Sequence, residues 1–538
     1  MFDKKYFYPV LFCLIALVYL ISMTFIPMME VDAAQYASIS EQMIREHGFL
    51  QVRHMHGDYL DKPPLLFWLS SLSVFFLGYS GFAYKLPSVL AGCLAIYATY
   101  KYARLHYDRE ISVAAALILA GCQAFFIIAN DCRTDNLLIG FCCLSIWKIA
   151  AYLKNDRISN LLVGFVGIGC AMLAKGPLGL IFPVFTIGSM MVGNNYFHKI
   201  NWTWLWSIPV ISVLLAPMCI GLYQQYGLRG LEFYFWTQSF GRITGQSEWA
   251  NDSGPFFFVH TFLWCFLPFS LIFLIGMIKY ILDLFKKNIL SGAYDWGLIG
   301  GFILTFLALS MSRYKLPHYI YILCPLASVM TAQFLLKLND QVELVKRLYA
   351  GQMIINIALI ILSIFLVFYF SPVSFSVFLI ACIVLIAGIW YLGKATDLRI
   401  KFILYSILAI TFVNFNLNAL FYPKLLKYQS SSEVAFYIQK KKLHVDHLMA
   451  YKIYGHTLSY YLHRDIPYSE NVESISTFPP GAYIYTNDQG LADINKALLS
   501  FETIETFDDF HVSGLTAGFL NPATRSQTLT KAYLIKLH

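Results

Sequence analysis

The sequence predicts an all-α membrane bundle of about thirteen crossings, followed by a small water-exposed α/β segment. Composition is the first reason. Of 538 residues, 58% are hydrophobic and 13% charged, with a mean hydropathy of +0.60, too little polar surface to cover a water-soluble globule. The second reason is repetition: apolar stretches recur from Tyr8 to Tyr422, most of them near the roughly 20 residues needed to cover ~30 Å of hydrocarbon. The third is a change of texture near Pro423. Beyond it, β-branched and aromatic runs such as Ala482–Thr486 alternate with helical patterns such as Ser431–Lys441 and Ala492–Leu499, as in a compact α/β domain. The chain therefore divides into a transmembrane part, 1–422, and a soluble part, 423–538.

The first helix is expected over Tyr8–Pro27. Lys4 and Lys5 before it place its start inside, and the apolar run is too long for a cleaved signal, with no small-residue cleavage site after it. An outer loop, 28–80, follows. Within it, Asp32 to about Glu46 reads as an amphipathic helix lying along the membrane surface, with Tyr36, Ile39, Met43 and Ile44 on its apolar face. Pro63–Gly78 is apolar but short, and reads as a re-entrant or interfacial helix. Further spans are expected at Phe82–Arg104, Ile111–Asn130, Asn136–Leu153, Leu161–Ala174, Pro177–Val192 and Trp204–Tyr223. Six more follow at Phe258–Ile281, Trp296–Met311, His318–Leu336, Tyr349–Phe370, Val377–Leu392 and Phe402–Tyr422.

Loop charges agree with this order. Lys101, Arg104, Arg109, Lys154, Arg157, Lys199, Lys286, Lys287, Lys346, Arg347, Lys394, Arg399 and Lys401 all fall on the side of Lys4 and Lys5, the cytoplasmic side by the positive-inside rule. An odd number of spans then puts the C-terminal segment outside. The net charge of +8 is scattered over short connections, without the basic stripe or motif of a nucleic-acid partner. Eleven cysteines occur without a CxxC pair, most of them singly within apolar runs, and are read as small hydrophobes rather than ligands or disulfides.

Ionisable groups are costly near membrane depth, so their position points to function. Here they gather at one level, the outer mouth: Asp32, Asp61, Lys62, Lys85, Asp131, Arg133, Asp135, Lys175, Arg242, Arg313, Lys315 and His318. A transporter would carry such groups near mid-membrane on broken helices; this pattern is that of an enzyme with its site at one face.

The motifs carrying these residues resemble a known family. Asp32-Ala33-Ala34-Gln35-Tyr36 and Tyr59-Leu60-Asp61-Lys62-Pro63-Pro64-Leu65 are followed in order by Lys85-Leu86-Pro87-Ser88, Arg133-Thr134-Asp135-Asn136 and Ala174-Lys175-Gly176-Pro177-Leu178-Gly179. Gln238-Ser239-Phe240-Gly241-Arg242 and Lys315-Leu316-Pro317-His318-Tyr319 complete the series. Together they resemble the bacterial aminoarabinose transferases, within the wider protein-mannosyltransferase-like group of GT-C fold. The resemblance implies an inverting glycosyltransferase of the bacterial inner membrane with its site and C-terminal domain on the periplasmic side. It also implies a polyprenyl (undecaprenyl) phosphate-linked sugar donor and an envelope acceptor: lipid A, another glycolipid, a polysaccharide or a protein. No cofactor is expected. In some relatives a His and the Glu of the loop motif contact a metal ion, but here those positions read Asn251-Asp252-Ser253-Gly254-Pro255 and Asp61, so no divalent-metal site is supported.

Such a transfer needs a carboxylate to take the acceptor's proton and cations or hydroxyls to stabilise the departing phosphate. Asp32 is the expected base and Asp135 the second catalytic carboxylate, with Arg133 as its pairing partner. Lys62, Arg242, Lys315 and Tyr319 are expected to hold the phosphate, in a site with few compensating anions, while Tyr59, Asp61, Lys85, Arg133, Lys175 and His318 complete substrate binding. The competing readings are an oligosaccharide ligase or polymerase using lipid-diphosphate donors, and a lipid or glycan transporter.

Overall fold

Backbone polar groups inside a bilayer have to be satisfied within their own segment, which makes each long apolar run a helix. The computed structural model describes residues 7–55, 57–238, 241, 253–285, 295–338 and 342–538. It opens with α1 (Phe7–Phe25), α2 (Asp32–Glu46), a two-stranded hairpin β1 (Arg53–His54) and β2 (Gly57–Asp58), and α3 (Leu65–Leu77). Next come α4 (Gly81–His106), α5 (Arg109–Ala120), α6 (Gln123–Asn130), α7 (Thr134–Asn155), α8 (Ile158–Lys175) and α9 (Leu178–Gly193). Among the described residues nine helices are long and apolar enough to cross a membrane, or ten if α5 and α6 form one span. The segment Pro317–Leu336 runs through the centre of the bundle, whereas Val342–Phe370 and Phe375–Leu392 turn most of their surface outward.

Two expected spans are broken. Ile111–Asn130 is the pair α5 and α6, bent by 50° at Gly121–Cys122. Phe258–Ile281 divides into Phe257–Cys265 and Ser270–Phe285 around Leu267-Pro268, where a proline removes a backbone donor. The breaks satisfy each other. The Gln123 amide donates to the Leu267 carbonyl at 2.9 Å, and the Gln352 side chain donates to the Pro268 carbonyl at 2.9 Å. Helix α2 has the bounds its pattern predicts, but it does not lie bare on a membrane surface. It is packed between α3 and the helix His456–Leu462 of the C-terminal segment, and Tyr36, Ile39 and Met43 are fully buried.

After Tyr428 the chain builds a five-stranded sheet of β3 (Leu448–Tyr451), β4 (Tyr468–Ser469), β5 (Tyr483–Asn487), β6 (Phe501–Asp509) and β7 (Thr530–Leu537), in the order β4-β3-β5-β7-β6. β4, β3 and β5 are parallel, and β7 and β6 continue antiparallel. Because strand side chains alternate between faces, Leu448, Ala450, Tyr483, Tyr485 and Leu534 pack with Val434, Ile438 and Leu458 of the flanking helices. Met449, Tyr451, Ile484 and Ile535 pack on the opposite face with Ile494. A sheet buried on both faces requires apolar residues at consecutive strand positions, which is what Tyr483-Ile484-Tyr485 supplies.

The outer loop is tied to this segment. The Glu30 carboxylate accepts from the Thr457 amide at 2.6 Å and from Ser431 Oγ at 3.2 Å. The Glu30 amide donates to Gln429 Oε1 at 2.9 Å, and the Met28 amide donates to the Tyr461 hydroxyl oxygen at 2.9 Å. Gly455 is required by this approach, since a Cβ there would lie 2.2 Å from Ser431 Cβ.

Candidate active site

The motif residues converge because each ends or begins a helix at the same level of the bundle. Asp32 opens α2, Asp131 follows α6, and Arg133 and Asp135 flank the start of α7. Lys175 ends α8, and Pro317-His318-Tyr319 opens the central segment. Gly176 makes the Lys175 corner possible: its φ of +69° is open to glycine and unfavourable for a residue with a Cβ. Three residues on, a Cβ at Gly179 would meet the Ala171 carbonyl carbon at 2.4 Å, so the small residue lets α9 pack against α8.

These ends enclose a cavity of about 800 Å³. Asp32, Tyr59, Asp61, Lys62, Arg133, Asp135, Lys175, His318 and Tyr319, all predicted from sequence, line it. Lys62 pairs with Asp61 at 2.6 Å. Arg133 pairs with Asp131 at 2.5 Å and, through Nη1, with Asp32. Lys175 pairs with Asp135, and its ammonium sits 3.9 Å from the centre of the Tyr319 ring. His318 Nε2 is 3.6 Å from the other Asp135 oxygen.

Burial works against the Arg133 charge, but the Asp131 and Asp32 carboxylates outweigh it and hold the guanidinium above its ordinary pKa. Burial and then the Asp61 and Asp32 charges push the Tyr59 phenol well above its usual range, so it remains a hydroxyl donor at neutral pH. Burial raises the Glu30 carboxyl, while hydrogen bonds from Thr457 and Ser431 pull it back.

Several expectations change. Arg133 does not pair with Asp135; it bridges Asp32 and Asp131, and Lys175 is the partner of Asp135. Asp32 is the first residue of α2, and the capping position, Val31, supplies no side-chain bond. Lys85 lies outside the cavity. It is fully buried, and its ammonium donates to the Ser22 and Ile26 carbonyls at 3.3 and 2.8 Å, the carbonyl end of α1, where a cation is favoured. Lys315 is buried beside the cavity and donates to the Ser253 and Gly254 carbonyls at 3.4 and 3.3 Å. Arg242 lies outside the described residues. The expected scarcity of anions is also overturned: every lining Lys and Arg among the described residues is matched by a carboxylate.

Sequence reasoning missed Glu30, Gln35, Tyr314 and Tyr321, and the pair His511 and Ser513 from the C-terminal segment, all of which line the cavity. It placed Asp131 among the costly outer residues without assigning it to the site. Glu30 and Tyr314 adjoin residues already singled out; His511 and Ser513 carry no local signature. Among the described residues no group of three His, Cys, Asp or Glu side chains is arranged to hold a metal ion.

The described residues thus form a polytopic bundle with charged residues gathered in one cavity at the ends of its helices, joined to a mixed sheet. Solved structures agree on the fold. ArnT from Cupriavidus metallidurans bound to undecaprenyl phosphate superposes with a TM-score of 0.76, covering 99% of this chain and 98% of that one at 16% identity. Its apo state gives 0.71, with 97% of each chain covered.

Sequence comparison narrows the resemblance. Residues 61–220 match the family described as dolichyl-phosphate-mannose-protein mannosyltransferase. The undecaprenyl phosphate-α-4-amino-4-deoxy-L-arabinose arabinosyl transferase 2 of Proteus mirabilis is 25% identical over 324 residues, covering 56% of this chain and 54% of the relative. The corresponding transferase of Erwinia tasmaniensis is 24% identical over 323 residues, covering 58% and 56%. The chain thus resembles the bacterial aminoarabinose transferases, and its alignable sequence spans about half the length of these curated relatives.

Proposed function

We propose that this chain is an inverting glycosyltransferase that moves a sugar from a polyprenyl (undecaprenyl) phosphate to an acceptor of the bacterial envelope: lipid A, another glycolipid, a polysaccharide or a protein. The observation that carries the reading is the convergence of Asp32, Lys62, Arg133, Asp135, Lys175 and His318 on one cavity. The names of the sequence relatives support the donor class.

In the proposed step the acceptor hydroxyl oxygen attacks the anomeric carbon, and the bond from that carbon to the carrier's phosphate oxygen breaks with its electron pair going to the phosphate. The hydroxyl proton goes to Asp32, whose side chain is 36% exposed against 7% for Asp135 and so is the carboxylate an acceptor reaches more easily. Arg133 fixes Asp32 in place. Lys62, Lys175 and Tyr319, with the Tyr59 hydroxyl and His318, face the phosphate. Each lysine already has a carboxylate partner, so the site is preorganised rather than assembled around the substrate. Asp135 holds Lys175 and His318 in register.

We further infer thirteen crossings. The reading is supported by the apolar helices α9 and Trp296–Ser310 and by the broken pairs α5–α6 and Phe257–Cys265 with Ser270–Phe285, which supplement the nine long helices. In this topology 1–422 is the inner-membrane catalytic domain, 423–538 is a periplasmic α/β domain, and the cavity opens to the periplasm. Purified protein in liposomes tests the chemistry: Asp32→Asn should lower transfer on the order of 10²–10⁴-fold while the thermal transition is unchanged. Wild-type rates from that variant would refute the base assignment. Mass spectrometry of envelope lipids from cells with and without the gene should reveal one missing sugar mass.

A further inference from the structure

The cavity is not built by the membrane helices alone. His511 and Ser513 reach it from the connection between β6 and β7, and the way that connection is held argues against a casual surface turn.

Residues 510–513 alternate in role. Phe510 and Val512 pack into an apolar cluster with Val367, Phe370, Leu420, Phe421 and Phe519, while His511 and Ser513 line the cavity. The Phe510 ring lies flat on Phe519, with centroids 3.7 Å apart and planes 8° from parallel. The Phe510 amide donates to the Tyr428 carbonyl at 2.9 Å. Arg525 closes the base of the loop. Its guanidinium sits 4.1 Å from the centre of the Phe370 ring and donates to the Phe370 carbonyl at 2.6 Å, the Phe519 carbonyl at 2.9 Å and the Tyr428 hydroxyl at 3.1 Å. The end of the membrane helix Val342–Phe370, the junction at Tyr428 and the sheet are thereby locked around one loop. Side chains supported in this way hold their position to the precision that recognition needs.

The chemistry of the pair is specific. His511 Nε2 and Ser513 Oγ lie 2.8 Å apart, and both side chains remain exposed at the cavity's mouth. A hydroxyl and an imidazole each offer both a donor and an acceptor, unlike the carboxylates, Lys and Arg of the interior, so the pair is suited to hydroxyls that do the same. In the proposed topology a lipid carrier enters from the membrane side, whereas this pair is carried by the connection between β6 and β7.

We propose that His511 and Ser513 form a sugar-hydroxyl subsite, through which the C-terminal segment positions a hydroxyl-bearing sugar unit over the charged interior. The subsite deepens the transferase reading above and rests on it. Either the donor's sugar or a glycan of the acceptor can supply these hydroxyls.

The test uses full-length protein in liposomes, a panel of undecaprenyl-phosphate-linked pentoses and hexoses as donors, bare undecaprenyl phosphate as the binding reference, and lipid A together with fractionated envelope glycolipids, polysaccharide and protein as acceptors. The double variant His511→Ala/Ser513→Ala is expected to raise KM for one substrate about tenfold, the effect of roughly 1.4 kcal/mol of lost hydrogen bonding. Its kcat should change less than threefold, and its affinity for bare undecaprenyl phosphate should not change. Elevation of the donor KM assigns the subsite to the donor's sugar, and elevation of the acceptor KM assigns it to the acceptor. Ser513→Thr and His511→Gln, which keep hydrogen-bonding groups, should recover most of the loss. Wild-type KM for both substrates in the double variant, or an equal loss of affinity for bare carrier, overturns the subsite while leaving the transferase reading intact. A wild-type protein that transfers no sugar from the panel overturns the donor reading, and this inference with it.

Discussion

Replacing Lys175 by Met removes the ammonium that faces Asp135 and leaves the methylene stem almost unchanged in volume. The two side chains are only 13% and 7% exposed, so the carboxylate cannot recruit a full hydration shell in its place. Among the described residues the nearest remaining compensation is the His318 imidazole at 3.6 Å. Breaking one side of a buried ion pair typically costs about 3–5 kcal/mol. A ceiling also exists, because protonating a carboxylate of ordinary pKa near 4 at pH 7 costs about 4 kcal/mol, and the site escapes any larger penalty by taking up a proton. Lys175→Met is therefore expected to lose about 3–4 kcal/mol of unfolding free energy, measured by SDS unfolding in mixed micelles at pH 7. Adding Asp135→Asn should recover most of that loss, because a neutral amide needs no counter-charge. Transfer activity should stay low in the double variant, since both groups face the cavity. The reasoning is refuted if Lys175→Met unfolds like wild type, or if the two substitutions destabilise additively.

Three other outcomes are expected. Lys85→Met should lower stability by removing the cation from the end of α1, and should leave the donor KM unchanged; a raised donor KM with unchanged stability would return Lys85 to the cavity. Arg133→Lys keeps the charge but loses the planar fork that bridges Asp32 and Asp131, so kcat should fall on the order of tenfold or more without loss of folding, and wild-type kcat would contradict the bridging role. The attachment of the C-terminal segment should weaken in acid. Burial and then the neighbouring His54 push the His456 imidazole down to about 3, so it stays neutral in the fold while the unfolded chain takes a proton near 6.5. That contribution is complete above pH 6.5 and is lost as pH falls toward 3, at up to about 1.4 kcal/mol per unit. Glu30, raised by burial, works with the opposite sign, so proteolysis of the segment at pH 7 and pH 5 is compared between wild type and His456→Gln, in which the acid sensitivity should diminish.

Local periodicity made much of this fold legible. The bounds of α2 follow from its apolar spacing and its acidic first residue, and the outer-mouth charges stand out because they interrupt apolar sequence at corners. Tertiary choices were not legible. Lys62 and Lys85 both precede prolines within a few residues, yet one faces the cavity and the other turns back to the carbonyls of α1; only the packing of α1 against α4 decides this. Arg133 is as close in sequence to Asp131 as to Asp135, and the turn into α7 points it away from the latter. The bends at Gly121 and Pro268 lie inside runs apolar enough to span, and hydropathy does not register that their freed backbone groups meet. His511 and Ser513 sit in a loop that carries no motif, distinguishable only once the sheet is placed beside the helices.

The attachment of the sheet bears on the chemistry through a two-residue lever. Glu30 is fixed by Thr457, Ser431 and Gln429, and Asp32, two residues later, begins α2 and reaches Arg133. So short a connection cannot absorb a shift of its anchor without moving the carboxylate, because each residue offers only two soft dihedrals. A displacement of about 1 Å is enough to cost a well-oriented reaction roughly a hundredfold. The C-terminal segment therefore sets the position of the proposed base from one side of the cavity while His511 and Ser513 approach from the other. Glu30→Ala is expected to reduce kcat by at least tenfold although Glu30 takes no part in the bond-breaking step. It should do so with hydrogen exchange rising at both the start of α2 and the His456–Leu462 helix. Loss of kcat with unchanged exchange at those two places would mean that Glu30 acts on the substrate directly.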